Sequence, residues 1–214
     1  EFLNNSGSSI GKVGMLAKSY DHVEKFDNAF NYFKKNNELV NIYYGKNIDE
    51  NIYSKYVDIR INFFENFELH DWKQYSVTDK LDDPIFLIGF PRSGTTLVET
   101  IITSGEEKIY NAGENFIIQK ALQNSQLKKK IYETDESLEV DISFLRKNII
   151  ESYMEYFLIK SEKFKFIDRT MTNFFFSEIL LELFPNAKII NCKRDSFHNL
   201  VAIYQLCLNN LPWS

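Results

Sequence analysis

The sequence has little of what would commit it to a disulfide framework, a metal site or a membrane. Its 214 residues include 2 cysteines, Cys192 and Cys207, too few to staple a scaffold. A reducing, cytoplasmic setting is therefore the default, with each thiol expected to pack as a small hydrophobe. The 3 histidines, His22, His70 and His198, are scattered and suggest no metal cluster. No apolar run reaches the roughly 18 residues that a membrane-spanning helix needs, and no secretory leader is visible. Positive charge is not in surplus either: a net charge of −5 argues against a protein that neutralises nucleic-acid phosphates. The basic run Lys128-Lys129-Lys130 is expected to be solvated surface.

What is abundant is core material. Hydrophobic residues make up 44% of the chain, with 19 Phe and 12 Tyr, which places it among folded globular proteins. The chain opens with Glu1-Phe2 instead of Met and stops at Pro212-Trp213-Ser214, in what reads as the middle of a domain, so a fragment is expected.

The most informative stretch is Pro84 to Ile102, PIFLIGFPRSGTTLVETII. Ile85-Phe86-Leu87-Ile88 is a short apolar run of the kind that forms a buried parallel strand. Gly89 to Gly94 is a tight loop between glycines, and Thr95 to Ile102 predicts the first turns of a helix. The free N–H groups and positive dipole end of that helix would face the loop and favour an anion. The spacing almost matches a nucleotide-binding GxxxxGK[ST] loop, but Thr95 stands where the phosphate-reaching lysine would be. Arg92 supplies the charge instead. A kinase or ATPase would miss that lysine, whereas a donor carrying one 5′-phosphate and a sulfonate is less charged and suits backbone amides, two hydroxyls and a guanidinium.

Upstream, Val13, Leu16, Ala17 and Tyr20 share one helical face, and Phe26, Ala29, Phe30 and Phe33 a second. This is the spacing of one tetratricopeptide-like repeat, in which small alanines let two helices cross closely; an ordinary helical hairpin is the alternative. A longer amphipathic helix is expected over 49–67, and a polar connector over 76–83. Downstream, a second short strand at Ile109-Tyr110 leads to Asn111-Ala112-Gly113-Glu114. A helix is expected over 142–161, a strand over 164–167 before Asp168-Arg169, a helix over 173–184 with Phe174, Ile179, Leu180 and Leu183 on its apolar face, and a strand over 187–192 before Lys193-Arg194-Asp195. Strands alternating with helices predict a three-layer α/β core on a parallel sheet, whose strand ends gather on one ligand-binding edge. Glu114 would then be either an N-terminal cap or first-turn acid for a helix over 115–122 or a base at that edge. Arg169 would be either an ion-pair partner of Asp168 or a neighbouring acid, or an active-site cation.

PRSGTT after an apolar strand, Asn111-Ala112-Gly113-Glu114, and Phe184-Pro185-Asn186-Ala187-Lys188-Ile189-Ile190 before Lys193-Arg194-Asp195 together resemble the sulfotransferases. The resemblance is to the bacterial branch in which a tetratricopeptide-repeat segment precedes a domain related to tyrosylprotein sulfotransferases. It implies a helical segment over 1–75, and over 76–214 a P-loop-like sulfotransferase domain that stops short at its C-terminus. It implies 3′-phosphoadenosine 5′-phosphosulfate as co-substrate, with Arg92, Ser93, Gly94, Thr95 and Thr96 around its 5′-phosphosulfate and Arg194 on its 3′-phosphate. Glu114 would be the general base, Arg92 and Arg169 would stabilise the leaving group, and no metal would be required. The acceptor would offer a hydroxyl, from a protein tyrosine, a carbohydrate or a small molecule, and the helical repeat could hold a protein partner.

Three positions depart from the family pattern: Arg169 replaces a lysine, Met171 a proline, and Ala202 a serine that would bond the 3′-phosphate. The missing bond corresponds to about 1.5–3 kcal/mol of donor affinity unless Ser196 or Asn199 replaces it. The rival reading is a non-catalytic interaction protein with a degenerate nucleotide loop.

Overall fold

Small residues decide how closely the first two helices approach. Ala17 on α1 (Ser6–His22) and Ala29 on α2 (Phe26–Tyr44) are buried together with Phe33, and Tyr20 stacks on Tyr32 with ring centroids 5.2 Å apart. The chain reverses at Val23-Glu24-Lys25, where Glu24 takes φ 58° and the Lys25 N–H bonds the Tyr20 carbonyl at 2.9 Å. The computed structural model describes residues 6–44, 50–66, 84–105, 108–125, 141–160 and 164–206. The expected connector at 76–83, Lys128-Lys129-Lys130, His70 and Cys207 lie outside them. The chain divides into two compact units, Glu1–Ser54 with Asp195–Ser214, and Lys55–Arg194.

The second unit is built on the apolar run Ile85 to Ile88. After α3 (Glu50–Asn66), which begins in the first unit, β1 (Ile85–Gly89) forms the heart of a four-stranded sheet. It is followed by α4 (Thr95–Thr103), β2 (Tyr110–Asn111), α5 (Ile117–Asn124), α6 (Ile142–Tyr156), β3 (Phe166–Asp168), a 3-10 helix (Met171–Phe176), α7 (Ser177–Leu183) and β4 (Lys188–Cys192). The order across the sheet is β2-β3-β1-β4 and every pairing is parallel. With a neighbour on each side and helices on both faces, β1 needs an uninterrupted apolar sequence, and Ile85 to Ile88 are all buried.

Strand alternation sorts the core into two. Ile85, Leu87 and Ile167 face α4, against Val98 and Ile102. Phe86 and Phe166 face the other way, into the larger cluster with Ile118, Leu122, Leu145, Ile149, Tyr153, Ile179 and Leu183. The α/β architecture with a parallel sheet, expected from the alternation of strands and helices, is thus present. The helix expected over 173–184 is two pieces, and the 3-10 geometry of its first piece shifts the register: Phe176 is buried while Phe174 is 58% exposed. The last helix among the described residues, α8 (Ser196–Tyr204), belongs to the helical unit. There Phe30 stacks on Tyr204, and Asn37 Nδ2 donates to the Tyr204 carbonyl at 3.1 Å.

The helical unit has a simple steric test. Ala17→Leu puts a large side chain where the two backbones meet and should lower unfolding free energy by about 1–3 kcal/mol. Gly11→Ala, whose new methyl would meet nothing within 4 Å, should raise it by about 0.5–1 kcal/mol. Denaturant midpoints of the two variants should move in opposite directions.

Candidate active site

All four strands end on the same edge of the sheet, and each is followed by a residue that the sequence marked. After β1, the loop Phe90 to Gly94 turns back so tightly that the Ser93 N–H bonds the Phe90 carbonyl at 3.1 Å. Arg92 sits in the left-handed region at φ 65° and Gly94 at φ 101°. For a non-glycine residue that conformation is uncommon and typical of functional loops. Gly89 has φ 155°, and a Cβ there would lie 2.6 Å from the Cys192 carbonyl oxygen and 2.7 Å from Ser93 Oγ. Only glycine lets the loop pass this close to the end of β4.

Gly94 caps α4 without a side chain, so the first-turn N–H groups are left for an outside acceptor. Thr95 and Thr96 open the helix, half-buried and exposed respectively. The Ser93 hydroxyl oxygen is buried and has no partner among the described residues.

The loops after β2 and β3 are stitched together. The Arg169 N–H donates to the Gly113 carbonyl at 3.1 Å. The Asn115 N–H donates to Thr170 Oγ1 at 2.9 Å, and that hydroxyl donates back to the Asn115 carbonyl at 2.7 Å. Asn115 Oδ1 accepts from the Ile117 N–H at 2.9 Å and so covers the start of α5. Glu114 therefore is not the acid of that first turn; its side chain is 62% exposed and paired with Arg169 Nη1. Arg169 Nε holds Glu99 Oε2 at 2.8 Å. The expected neighbour Asp168 faces the opposite side of the sheet, because consecutive residues of a strand do.

After β4, Arg194 Nη1 donates to the Arg92 carbonyl at 3.1 Å, which joins two of the three marked arginines. Asp195 caps α8 through the His198 N–H at 3.0 Å, and that bond holds its carboxyl below the usual range. His198 is exposed and pairs with Asp195. Ser196, Asn199 and Ala202 lie on α8, in the helical unit. No group able to hold a metal ion occurs among the described residues, and none of their helices is long and apolar enough to cross a membrane.

Two features of this edge carry no motif of their own. One is Glu99. The other is the set of donors around the buried Asp168: Thr170 N–H at 2.7 Å, Asn115 Nδ2 at 2.9 Å, Asn173 Nδ2 at 3.1 Å, and the Tyr153 hydroxyl. Burial raises the Asp168 carboxyl above its ordinary value, against the pull of these hydrogen bonds. Burial, then the Asp168 charge, raises Tyr153 well above its own. The network fixes the loops that carry Glu114 and Arg169.

Comparison with known proteins places this edge in context. Residues 84–214, more than half of the chain, match a family described as the sulfotransferase family. The chain is also 36% identical over 134 residues to an uncharacterized protein of Aquifex aeolicus (strain VF5). That match takes in 57% of this chain and 17% of the relative's length.

Gly89→Ala should cost about 1–3 kcal/mol, because the new methyl meets a backbone carbonyl that cannot move aside; chemical denaturation measures it. Tyr153→Phe removes a buried hydrogen bond to Asp168 and should cost about 1–3 kcal/mol. The Asp168 carboxyl has a higher pKa folded than unfolded, so the native state keeps the extra proton longer. Stability should fall as pH rises from its ordinary value of 3.8 through the raised one, and be level above it. Since the Tyr153 bond pulls that pKa down, Tyr153→Phe should extend the falling segment to higher pH in urea titrations at stepped pH.

Proposed function

This chain belongs to the sulfotransferase family, and from that premise we propose that it moves a sulfuryl group from 3′-phosphoadenosine 5′-phosphosulfate to an acceptor hydroxyl, with Glu114 as general base. The observation that carries the reading is the convergence on one sheet edge of an arginine-bearing phosphate loop and an Arg169–Glu114 pair. In this scheme Ser93, Gly94, Thr95 and Thr96 hold the 5′-phosphosulfate through hydroxyls and first-turn N–H groups. The unpartnered Ser93 oxygen and the side-chain-free cap at Gly94 fit such a ligand.

The acceptor oxygen attacks sulfur in line. The new oxygen–sulfur bond forms as the bond from sulfur to the 5′-phosphate oxygen breaks, and the acceptor proton passes to the Glu114 carboxylate. The electron pair leaves with 3′,5′-adenosine bisphosphate, whose charge Arg92 and Arg169 balance while Arg194 engages its 3′-phosphate through a guanidinium fork. The acceptor is a protein tyrosine, a carbohydrate or a small hydroxyl compound. The close packing at Ala17 and Ala29 with the Tyr20–Tyr32 stack supports the helical pair as one tetratricopeptide-like repeat, available to a protein partner, in a chain of the tyrosylprotein-sulfotransferase-related bacterial branch.

Calorimetry tests the donor site. 3′,5′-Adenosine bisphosphate should bind at least about tenfold more tightly than 5′-AMP, and Arg92→Ala should weaken it by about 10–100-fold, the worth of one or two charge-assisted bonds. Glu114→Gln should leave that binding in place and lower turnover by about 10²–10⁴-fold. Equal affinity for the two nucleotides, or none for either, would sink the reading and favour an interaction protein.

A further inference from the structure

Helix α4 lays Val98 and Ile102 against the sheet, but the residue it buries most deeply is a carboxylate. Leu97 and Ile101 are 65% and 62% exposed, while Glu99 between them is 3% exposed. Taking a carboxylate out of water is costly, and the cost is repaid only when its oxygens are well partnered. Here they are half partnered. Oε2 accepts from Arg169 Nε at 2.8 Å, and Oε1 is buried with no partner among the described residues. A residue that breaks the local pattern without a compensating gain in stability is the kind that marks a functional site.

The geometry shows what the carboxylate does for its neighbour. A guanidinium is planar and offers its nitrogens in a fixed fork. With Glu99 on the Nε side and the Arg169 N–H tied to the Gly113 carbonyl at 3.1 Å, the group is held at both ends of the residue. Its Nη1 is then directed at Glu114. Glu114 is exposed, so an unanchored arginine would exchange it readily for water; a buried anchor is little screened by salt and keeps the guanidinium in place.

We propose that Glu99 is a positioning residue, whose buried carboxylate fixes the Arg169 guanidinium so that Nη1 stays on Glu114 while the acceptor proton is taken. The role in turnover rests on the sulfuryl-transfer reading above.

The test uses the whole chain with Glu99→Gln, and Glu99→Leu as a second variant, which returns an apolar residue to an apolar helix if the amide folds poorly. Three readouts are needed: the Arg169 Nε–H signal in ¹H–¹⁵N spectra, calorimetric affinity for 3′,5′-adenosine bisphosphate, and turnover followed as release of that bisphosphate from the sulfonate donor with phenol as test acceptor. In both Glu99 variants the Nε–H should lose its protection from exchange, while Glu114→Gln keeps it. Bisphosphate affinity should change less than about threefold and turnover should fall at least about tenfold. Glu99→Gln added to Glu114→Gln should cause no further loss, because the two act through one guanidinium.

A protected Nε–H in the Glu99 variants, or turnover that falls only in step with bisphosphate affinity, would overturn the proposal. Absence of turnover with phenol in the unmodified chain, together with no preference for the bisphosphate over 5′-AMP, would instead defeat the sulfuryl-transfer reading and the part Glu99 plays in it. The Nε–H signal alone would then decide whether Glu99 positions Arg169.

Discussion

The end of β3 is the constraint on which the candidate site depends. Asp168 and Arg169 are adjacent in the chain and face opposite sides of the sheet. Asp168 is fully buried and gathers donors from the loop after β2, from α6, from the 3-10 helix and from its own following turn. Arg169, one residue on, reaches Glu99 on α4 and Glu114. A strand only three residues long thus divides two tasks between its last position and the next one. One carboxylate locks the scaffold on one face, and one guanidinium organises charge on the other.

Charge at this edge is arranged in partnerships more than in a uniform field. Arg194 is tied to the backbone of Arg92, and Arg169 is shared between two carboxylates. A chain of net charge −5 thus presents guanidinium groups whose orientations are already set, without a broad basic surface, which would lower the ordering cost of binding an anion.

Much of this was legible in the sequence, for physical reasons that differ by residue. The run Ile85 to Ile88 has one way to be buried, and glycines at 89 and 94 one way to turn, so loop and flanking elements could be read directly. Arg92, Glu114, Arg169 and Arg194 were readable because a parallel sheet puts the residues after its strands on one edge. Glu99 was hidden because periodicity reports the average face of a helix, and here the polar residue took the buried place while Leu97 and Ile101 did not. The one local signal was an acid two residues from both Leu97 and Ile101 in an otherwise uncharged helix. Which acid pairs with Arg169, Asp168 or another, was not legible, since sequence adjacency conceals the reversal of side at each strand position. The Asp168 partners Tyr153, Asn115 and Asn173 come from separate segments that no local pattern links.

The sheet order also sets a timetable. β1 pairs with β3 and β4 and not with β2, the strand that follows it in the chain; its first ladder partner, Ile167, lies far downstream of Ile85. During synthesis the apolar run Ile85 to Ile88 therefore emerges well before either of the strands that flank it exists. Closing such long loops is slow, and an unpaired apolar strand is the kind of surface that aggregates or recruits chaperones. The arrangement that brings every strand end to one edge thus makes the nascent chain depend on protection until β3 has been made.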